Sequence, residues 1–260
     1  MSIPLSLSGK VALISGGSRG IGAATVRMFT AAGAKVAFSY RRARPQAEAL
    51  ANQCGATVCR PIASELNNPE AACSLVAETV KQFGRLDILV ANHGVWPPAD
   101  VAIERMSDEQ WRSTMSINLD GVFGLLKHAV AQMKAQPSQG GPAGHIVLIS
   151  STSGQRGEAF HCDYSATKGA LISMTKGLST ELAPARIYVN CVAPGWVNTD
   201  MSAGALADPK SGEEIRHTIP LGRAGTPEEI AAPVLFLCTE YASFITGEVF
   251  NVNGGAVLAG

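Results

Sequence analysis

The chain is poor in aromatic and in charged residues, which make up 6% and 16% of its 260 positions. With so few large rings, small aliphatic side chains must fill the core. Net charge is missing as well: 21 Lys and Arg balance 21 Asp and Glu, so no long-range field would hold nucleic acid or an anionic membrane. Neither partner is expected. No apolar run approaches the length that spans a bilayer, and the opening MSIPLSLSGK lacks the basic and apolar stretches of a secretory signal. A soluble, cytoplasmic protein is the expectation. The six cysteines, Cys54, Cys59, Cys73, Cys162, Cys191 and Cys238, form no CxxC pair and no metal-like spacing with the five histidines. Free thiols in a reducing compartment and no catalytic metal follow.

Glycine and aliphatic residues are abundant, with 27 glycines and 46% hydrophobic positions. Short β-branched or aliphatic runs at 11–15, 35–40, 57–62, 86–91, 145–150, 186–192 and 248–252 alternate with segments of helical spacing. Gly33 stops the first helix, Asn68-Pro69 opens another, and Thr226-Pro227-Glu228-Glu229 opens the last. Nearly continuous apolar strands imply burial on both faces. The expected fold is therefore α/β, a Rossmann-type doubly wound parallel sheet of about seven strands with helices on both faces, in one domain spanning 1–260. The Pro/Gly/Ser-rich segment 136–144 reads as a surface excursion.

Strand 11–15 runs into Gly16-Gly17-Ser18-Arg19-Gly20-Ile21-Gly22 and a helix reaching about residue 32. Glycines 16, 20 and 22 let the backbone turn tightly, approach a pyrophosphate and pack helix on strand, and the helix N-terminus offers free N–H groups to phosphates. A dinucleotide fits this turn, with Gly16, Ser18, Arg19, Gly20, Ile21 and Gly22 as candidate contacts. A glycine loop without a ligand is the plainer alternative, but its place at the first strand-to-helix junction counts against it.

Further along, Tyr164 and Lys168 stand four residues apart, one turn apart on the same helix face. Hydride reduction of a carbonyl puts negative charge on oxygen, so a proton donor and a second hydrogen-bonding group must lie within reach. An ordinary phenol, with a pKa of about 10, is a poor acid-base group at neutral pH, and a nearby ammonium would lower that value. Tyr164 and Lys168 supply such a pair.

The G-x-x-x-G-x-G spacing, with Ser15 where Thr is usual, and the Tyr164/Lys168 pair together resemble the short-chain dehydrogenase/reductase family. Ala91-Asn92-His93-Gly94 stands where that family usually has Asn-Asn-Ala-Gly, and Asn92 and Gly94 match. The resemblance runs from Gly9-Lys10 to the segment 245–255, and is nearest the 3-oxoacyl-[acyl-carrier-protein] reductase-like branch. It implies that Ser151, in Ser151-Thr152-Ser153-Gly154, orients the carbonyl, that Lys168 also binds the nicotinamide ribose, and that Asn118 holds a proton-relay water. Ser150, offset by one residue, is the runner-up for the serine. It further implies that Pro194, Gly195 and Val197 lie against the nicotinamide, that Thr199 approaches a phosphate, that Glu65 stands where an adenine-contacting acid is frequent, and that the protein is a homotetramer.

Cofactor choice is read from charge. An acid at the end of the second strand would bind a ribose 2′-hydroxyl and repel a 2′-phosphate. Here Tyr40 is followed by Arg41 and Arg42, with Arg19 available from the other side, so NADPH/NADP is expected. The segment 199–220, rich in small and charged residues, reads as a substrate lid. Trp96, Phe160, Trp196, Met201 and Leu206 are candidate pocket residues, with His93 and His161 as polar edges. The acyl-carrier reductases carry basic helices at the active-site mouth; here 129–133 (AVAQM) and 177–182 (GLSTEL) lack arginine. The expected reaction is therefore reversible reduction of a small or medium ketone, or of a 3-oxoacyl or β-ketoester-like carbonyl, to a secondary alcohol. An NAD-dependent polyol or glucose dehydrogenase and a non-catalytic dinucleotide-sensing protein are the alternatives.

Overall fold

Strands with no polar interruption can be buried on both faces only inside a parallel, helix-covered sheet. The computed structural model, which describes residues 4–137 and 140–258, has that architecture. Its first half runs β1 (Val11–Ile14), α1 (Gly20–Ala31), β2 (Lys35–Tyr40), α2 (Arg44–Cys54), β3 (Cys59–Ala63), α3 (Pro69–Phe83) and β4 (Ile88–Ala91). Then follow α4 (Asp108–Met115), α5 (Gly121–Ala135), β5 (Gly144–Ile149), α6 (Thr152–Arg156), α7 (Cys162–Leu182) and β6 (Ile187–Pro194). The chain closes with α8 (Ala203–Ala207), α9 (Pro209–His217), α10 (Pro227–Phe236) and β7 (Val249–Val252).

All pairings are parallel and the strand order is β3-β2-β1-β4-β5-β6-β7. The order reverses between β1 and β4, and such a switch point opens a crevice at the strands' carboxyl ends. Alternate residues feed two cores. On one face Ile14, Val36, Phe38, Val90 and Val147 pack with Val26 and Phe29 of α1, Leu50 of α2 and Val234 of α10. On the other, Leu13, Ala37, Leu89, Ile146 and Leu148 meet Leu75 of α3, Leu125 of α5 and Leu171 of α7. No helix among the described residues is long and apolar enough to cross a membrane.

The boundary residues act as the sequence suggests. Asn68 Oδ1 accepts from the Ala71 amide at 2.8 Å with Pro69 at the first helical position, and Thr226 forms a reciprocal capping box with Glu229. The third strand starts later than expected. Residues 57 and 58 are consumed by a turn in which the Val58 and Cys59 amides both reach the Gly55 carbonyl at 3.0 Å. The segment 136–144 divides: Gln136 bonds both the amide and the carbonyl of Leu86 (3.0 and 2.7 Å), Gly144 already belongs to β5, and residues 138–139 lie outside the described ones.

Candidate active site

A cleft of about 630 Å³ lies over the β1/β4 switch point, a volume suited to a small-molecule ligand. Its floor is the glycine turn. A Cβ at Gly22 would stand 2.1 Å from the Gly16 carbonyl oxygen and 2.7 Å from Asn92 Nδ2, so only glycine lets the turn close. Asn92 fastens that turn to β4, donating from Nδ2 to the carbonyls of Ser15 and Gly16 at 3.0 and 3.1 Å. Helix α1 starts beyond it with no side-chain cap and no acid in its first turn. Its first amides thus have no intrahelical partner and meet no competing anion, which suits a pyrophosphate. Thr199 packs over this end, its methyl 3.2 Å from where a Cβ at Gly20 would be, and Ser18, Ile21, Pro194, Gly195 and Val197 also line the cleft.

At the other end lie Arg19, Arg41, Arg42 and Glu65. Glu65 forms an ion pair with Arg41 at 3.4 Å. Arg19 pairs with Asp200 at 3.7 Å. These pairs are solvent-exposed and weak, so a phosphate dianion can displace them. Glycine turn, bare helix end and three arginines together fit a dinucleotide carrying a ribose phosphate.

The chemical groups gather on the β4–β6 side. Ser151 caps α6, its hydroxyl accepting from the Ser153 amide at 3.1 Å, and hydrogen-bonds the Tyr164 hydroxyl beside it. The Ser150 hydroxyl is taken up by the Lys168 carbonyl, to which it donates at 2.7 Å, which leaves Ser151 as the serine that meets Tyr164. Lys168 is 4% exposed; Nζ donates to the Ile149 carbonyl at 2.8 Å and lies 5.6 Å from the Tyr164 ring centroid. A Cβ at Gly94 would come within 3.5 Å of that ammonium and 3.2 Å of Asn118 Oδ1. Asn118 sits on a π-helical turn, Ser116–Asp120, between α4 and α5. Its side chain is fixed by Val95, whose amide donates to Oδ1 at 2.8 Å and whose carbonyl accepts from Nδ2 at 2.9 Å.

The electrostatics correct one expectation. Burial pushes the Tyr164 phenol up to about 12, helped by the Glu158 charge and opposed by its hydrogen bond with Ser151. Burial also brings the Lys168 ammonium down to about 8. The ammonium is tethered to Ile149, and desolvation of both groups outweighs any lowering of the phenol by the lysine.

Several contributors were not legible in the sequence. Buried Asp163 accepts from the Tyr164 amide (2.8 Å), from Thr114 (2.9 Å) and from Gln110 (3.1 Å), locking the start of α7 to α4. Glu158 lies in the cleft wall, where Trp96 Nε1 and the Ser153 hydroxyl both donate to it. An acid one residue before the tyrosine was the only hint of Asp163; nothing marked Glu158. Trp96, Phe160, Trp196 and Met201 line the adjoining chamber, but Leu206 does not, and Ile215 of α9 takes that role. His93 lines the cleft, but its ring turns inward, Nδ1 lying 2.8 Å from Ser15 Oγ, and burial brings it down to about 4. His161 is buried, with Nε2 2.9 Å from the Pro97 carbonyl.

Known proteins resemble this chain over nearly its whole length. A family model described as "Enoyl-(Acyl carrier protein) reductase" matches residues 16–257. The chain is 40% identical to the 3-oxoacyl-[acyl-carrier-protein] reductase of Aquifex aeolicus, over 96% of this chain and 98% of that protein. Among solved structures, a short-chain dehydrogenase/reductase of Brucella melitensis described as glucose/ribitol dehydrogenase superposes with a TM-score of 0.89 at 35% identity, covering 99% of this chain and 100% of that one. A Burkholderia cenocepacia short-chain dehydrogenase in complex with NADP gives 0.86 at 32%, covering 96% and 98%.

Proposed function

The chain belongs to the short-chain dehydrogenase/reductase family, and on that premise we propose that it is an NADPH-dependent ketoreductase, returning secondary alcohols from ketones reversibly. The observation that supports this most is the gathering of Ser151, Tyr164 and Lys168 on one wall of a cleft whose far end carries Arg19, Arg41 and Arg42. The bound NADPH supplies the hydride. As negative charge grows on the carbonyl oxygen, Ser151 donates a hydrogen bond to it and Tyr164 hands over its proton. A phenol pushed up to about 12 stays protonated at neutral pH, which suits reduction; the reverse direction asks Tyr164 to lose that proton first. Lys168, charged below about 8, binds the ribose and re-supplies the proton, with Asn118 at the inner end of that path.

Two neighbouring statements belong to the same reading. A homotetramer is supported by large side chains left exposed on α4 and α5, Trp111 and Phe123. A cytoplasmic location is supported by six free cysteines. The segment 199–220, which places Met201, Gly204 and Ile215 over the cleft, is proposed to close on the substrate.

The test is loss of absorbance at 340 nm when NADPH meets a panel of ketones and β-ketoesters. Turnover is expected with at least one class, and Tyr164→Phe is expected to lower kcat by about 10³-fold or more while NADPH binding stays within a few-fold. An active Tyr164→Phe enzyme overturns the mechanism. A second reading, reduction of a 3-oxoacyl thioester on a carrier protein, is favoured by the Aquifex relative. It would show as a carrier-bound substrate turned over far faster than its free thioester.

A further inference from the structure

Past Trp96, Trp196 and Glu158 the cleft continues into a second chamber of about 900 Å³. The two indoles meet edge-on, ring centroids 6.0 Å apart at 84°, and Trp96 is backed by a stacked His161 ring at 4.9 Å. Between them and α6 sits the Glu158 carboxylate, 23% exposed. Trp96 Nε1 donates to Oε1 at 3.2 Å and the Ser153 hydroxyl donates to Oε2. His161 Nδ1 lies 3.8 Å from Oε1, beyond hydrogen-bond reach, so each oxygen keeps acceptor capacity, and among the described residues no lysine or arginine pairs with this carboxylate.

A carboxylate this far out of water, held by two donors, gains from each further one. Its neighbours limit what that donor is. In the chamber Asp100, Asp200 and Glu158 outnumber its one arginine, Arg19, which pairs with Asp200, and Arg156 lines the first cavity from the end of α6. An anionic substrate gains little here. Indole faces attract polarised C–H and N–H groups rather than negative charge. Ser153, which holds Glu158, follows Ser151 by two residues, and Ser151, Tyr164 and Glu158 all line the same cleft, so the carboxylate stands beside the carbonyl-orienting pair. The same carboxylate is near enough to Tyr164 to oppose its ionisation.

We propose that Glu158 determines specificity by accepting a hydrogen bond from an O–H or N–H group on the carbon next to the substrate carbonyl, so that the preferred substrate is an α-hydroxy or α-amino ketone. This rests on the ketoreductase reading. Nothing in it alters the redox balance: hydride goes to the carbonyl carbon, a proton from Tyr164 goes to its oxygen, and the neighbouring donor group is unchanged.

The experiment compares kcat/KM with NADPH for hydroxyacetone and for near-isosteric butan-2-one, with aminoacetone as a third arm to separate hydroxyl from ammonium. Wild type is expected to favour a donor-bearing ketone by on the order of 10²-fold, Glu158→Leu to bring the ratio near one, and Glu158→Gln, which keeps an acceptor, to fall between. A wild-type ratio near one, or a ratio untouched in Glu158→Leu, overturns the proposal. Binding is read separately, by quenching of indole fluorescence on adding ketone to the NADP complex. Quenching by hydroxyacetone or aminoacetone but not butan-2-one supports the site even if NADPH is never consumed. That last result would overturn the reductase reading instead.

Discussion

Arg41 has two anions to choose between. Its pair with Glu65, at 3.4 Å with both side chains roughly half exposed, is worth at most about 1 kcal/mol, whereas a guanidinium-phosphate contact contributes about 1.5–3 kcal/mol. The phosphate wins. Replacing Arg41 and Arg42 together by Asp is expected to raise KM for NADPH by at least about 100-fold and to change KM for NADH by no more than a few-fold. Equal effects on the two cofactors would mean that the arginines bind elsewhere. The sequence displayed these cations openly, because charge at the end of β2 is a local property. It concealed Glu158 and Asp163, whose roles depend on where a loop and α4 bring Trp96, Ser153 and Thr114. The raised Tyr164 phenol belongs with them: adjacency of a lysine is visible in a chain, but depth of burial is not.

At the scale of elements, α6 and α7 are pressed together without side chains at one point. A Cβ at Gly154 would stand 2.5 Å from the Lys168 carbonyl carbon, and no neighbouring side chain can yield there because the obstacle is backbone. Gly154→Ala is expected to drive α6 off α7 and with it Ser151 away from Tyr164. A cost of about 1–3 kcal/mol in stability and a loss of kcat of tenfold or more should accompany one another. The control lies on α7: Gly177 faces open space, and Gly177→Ala is expected to stabilise by up to about 1 kcal/mol with activity unchanged. Thermal unfolding and steady-state kinetics on both variants check this. The elements themselves were legible as apolar runs punctuated by glycine and proline, since burial on both sides of a parallel sheet leaves little room for polar residues. Their ends were less so. Arg186 ends up in left-handed backbone outside β6, and the Gly55 turn delays β3, because hydrogen bonding among neighbours, not side-chain type, decides where pairing begins.

For the whole molecule, the buried lysine couples folding to pH. Its ammonium falls from an ordinary 10.5 to about 8 on burial, so between those values the unfolded chain holds a proton that the folded protein has released. Stability therefore rises with pH across this window, by about 3 kcal/mol from this residue. Above pH 10 the Tyr164 phenol works in the opposite sense, since the folded state keeps a proton that the unfolded chain loses until about pH 12. Urea midpoints of wild type and Lys168→Met from pH 7.5 to 10 test the sign: wild type should gain on the variant as pH rises, and parallel curves would remove the buried charge from the account.

The strand order has one more consequence. Because the sheet doubles back between β1 and β4, the arginines proposed to select the electron carrier come from the chain up to β3, and the residues proposed to select the molecule reduced, Trp96, Glu158 and Trp196, come from beyond β4. The two preferences behave as separate dials joined along a seam. A graft made at that seam, taking β1 through β3 from an NADH-using cousin, would swap the fuel and leave the palate intact.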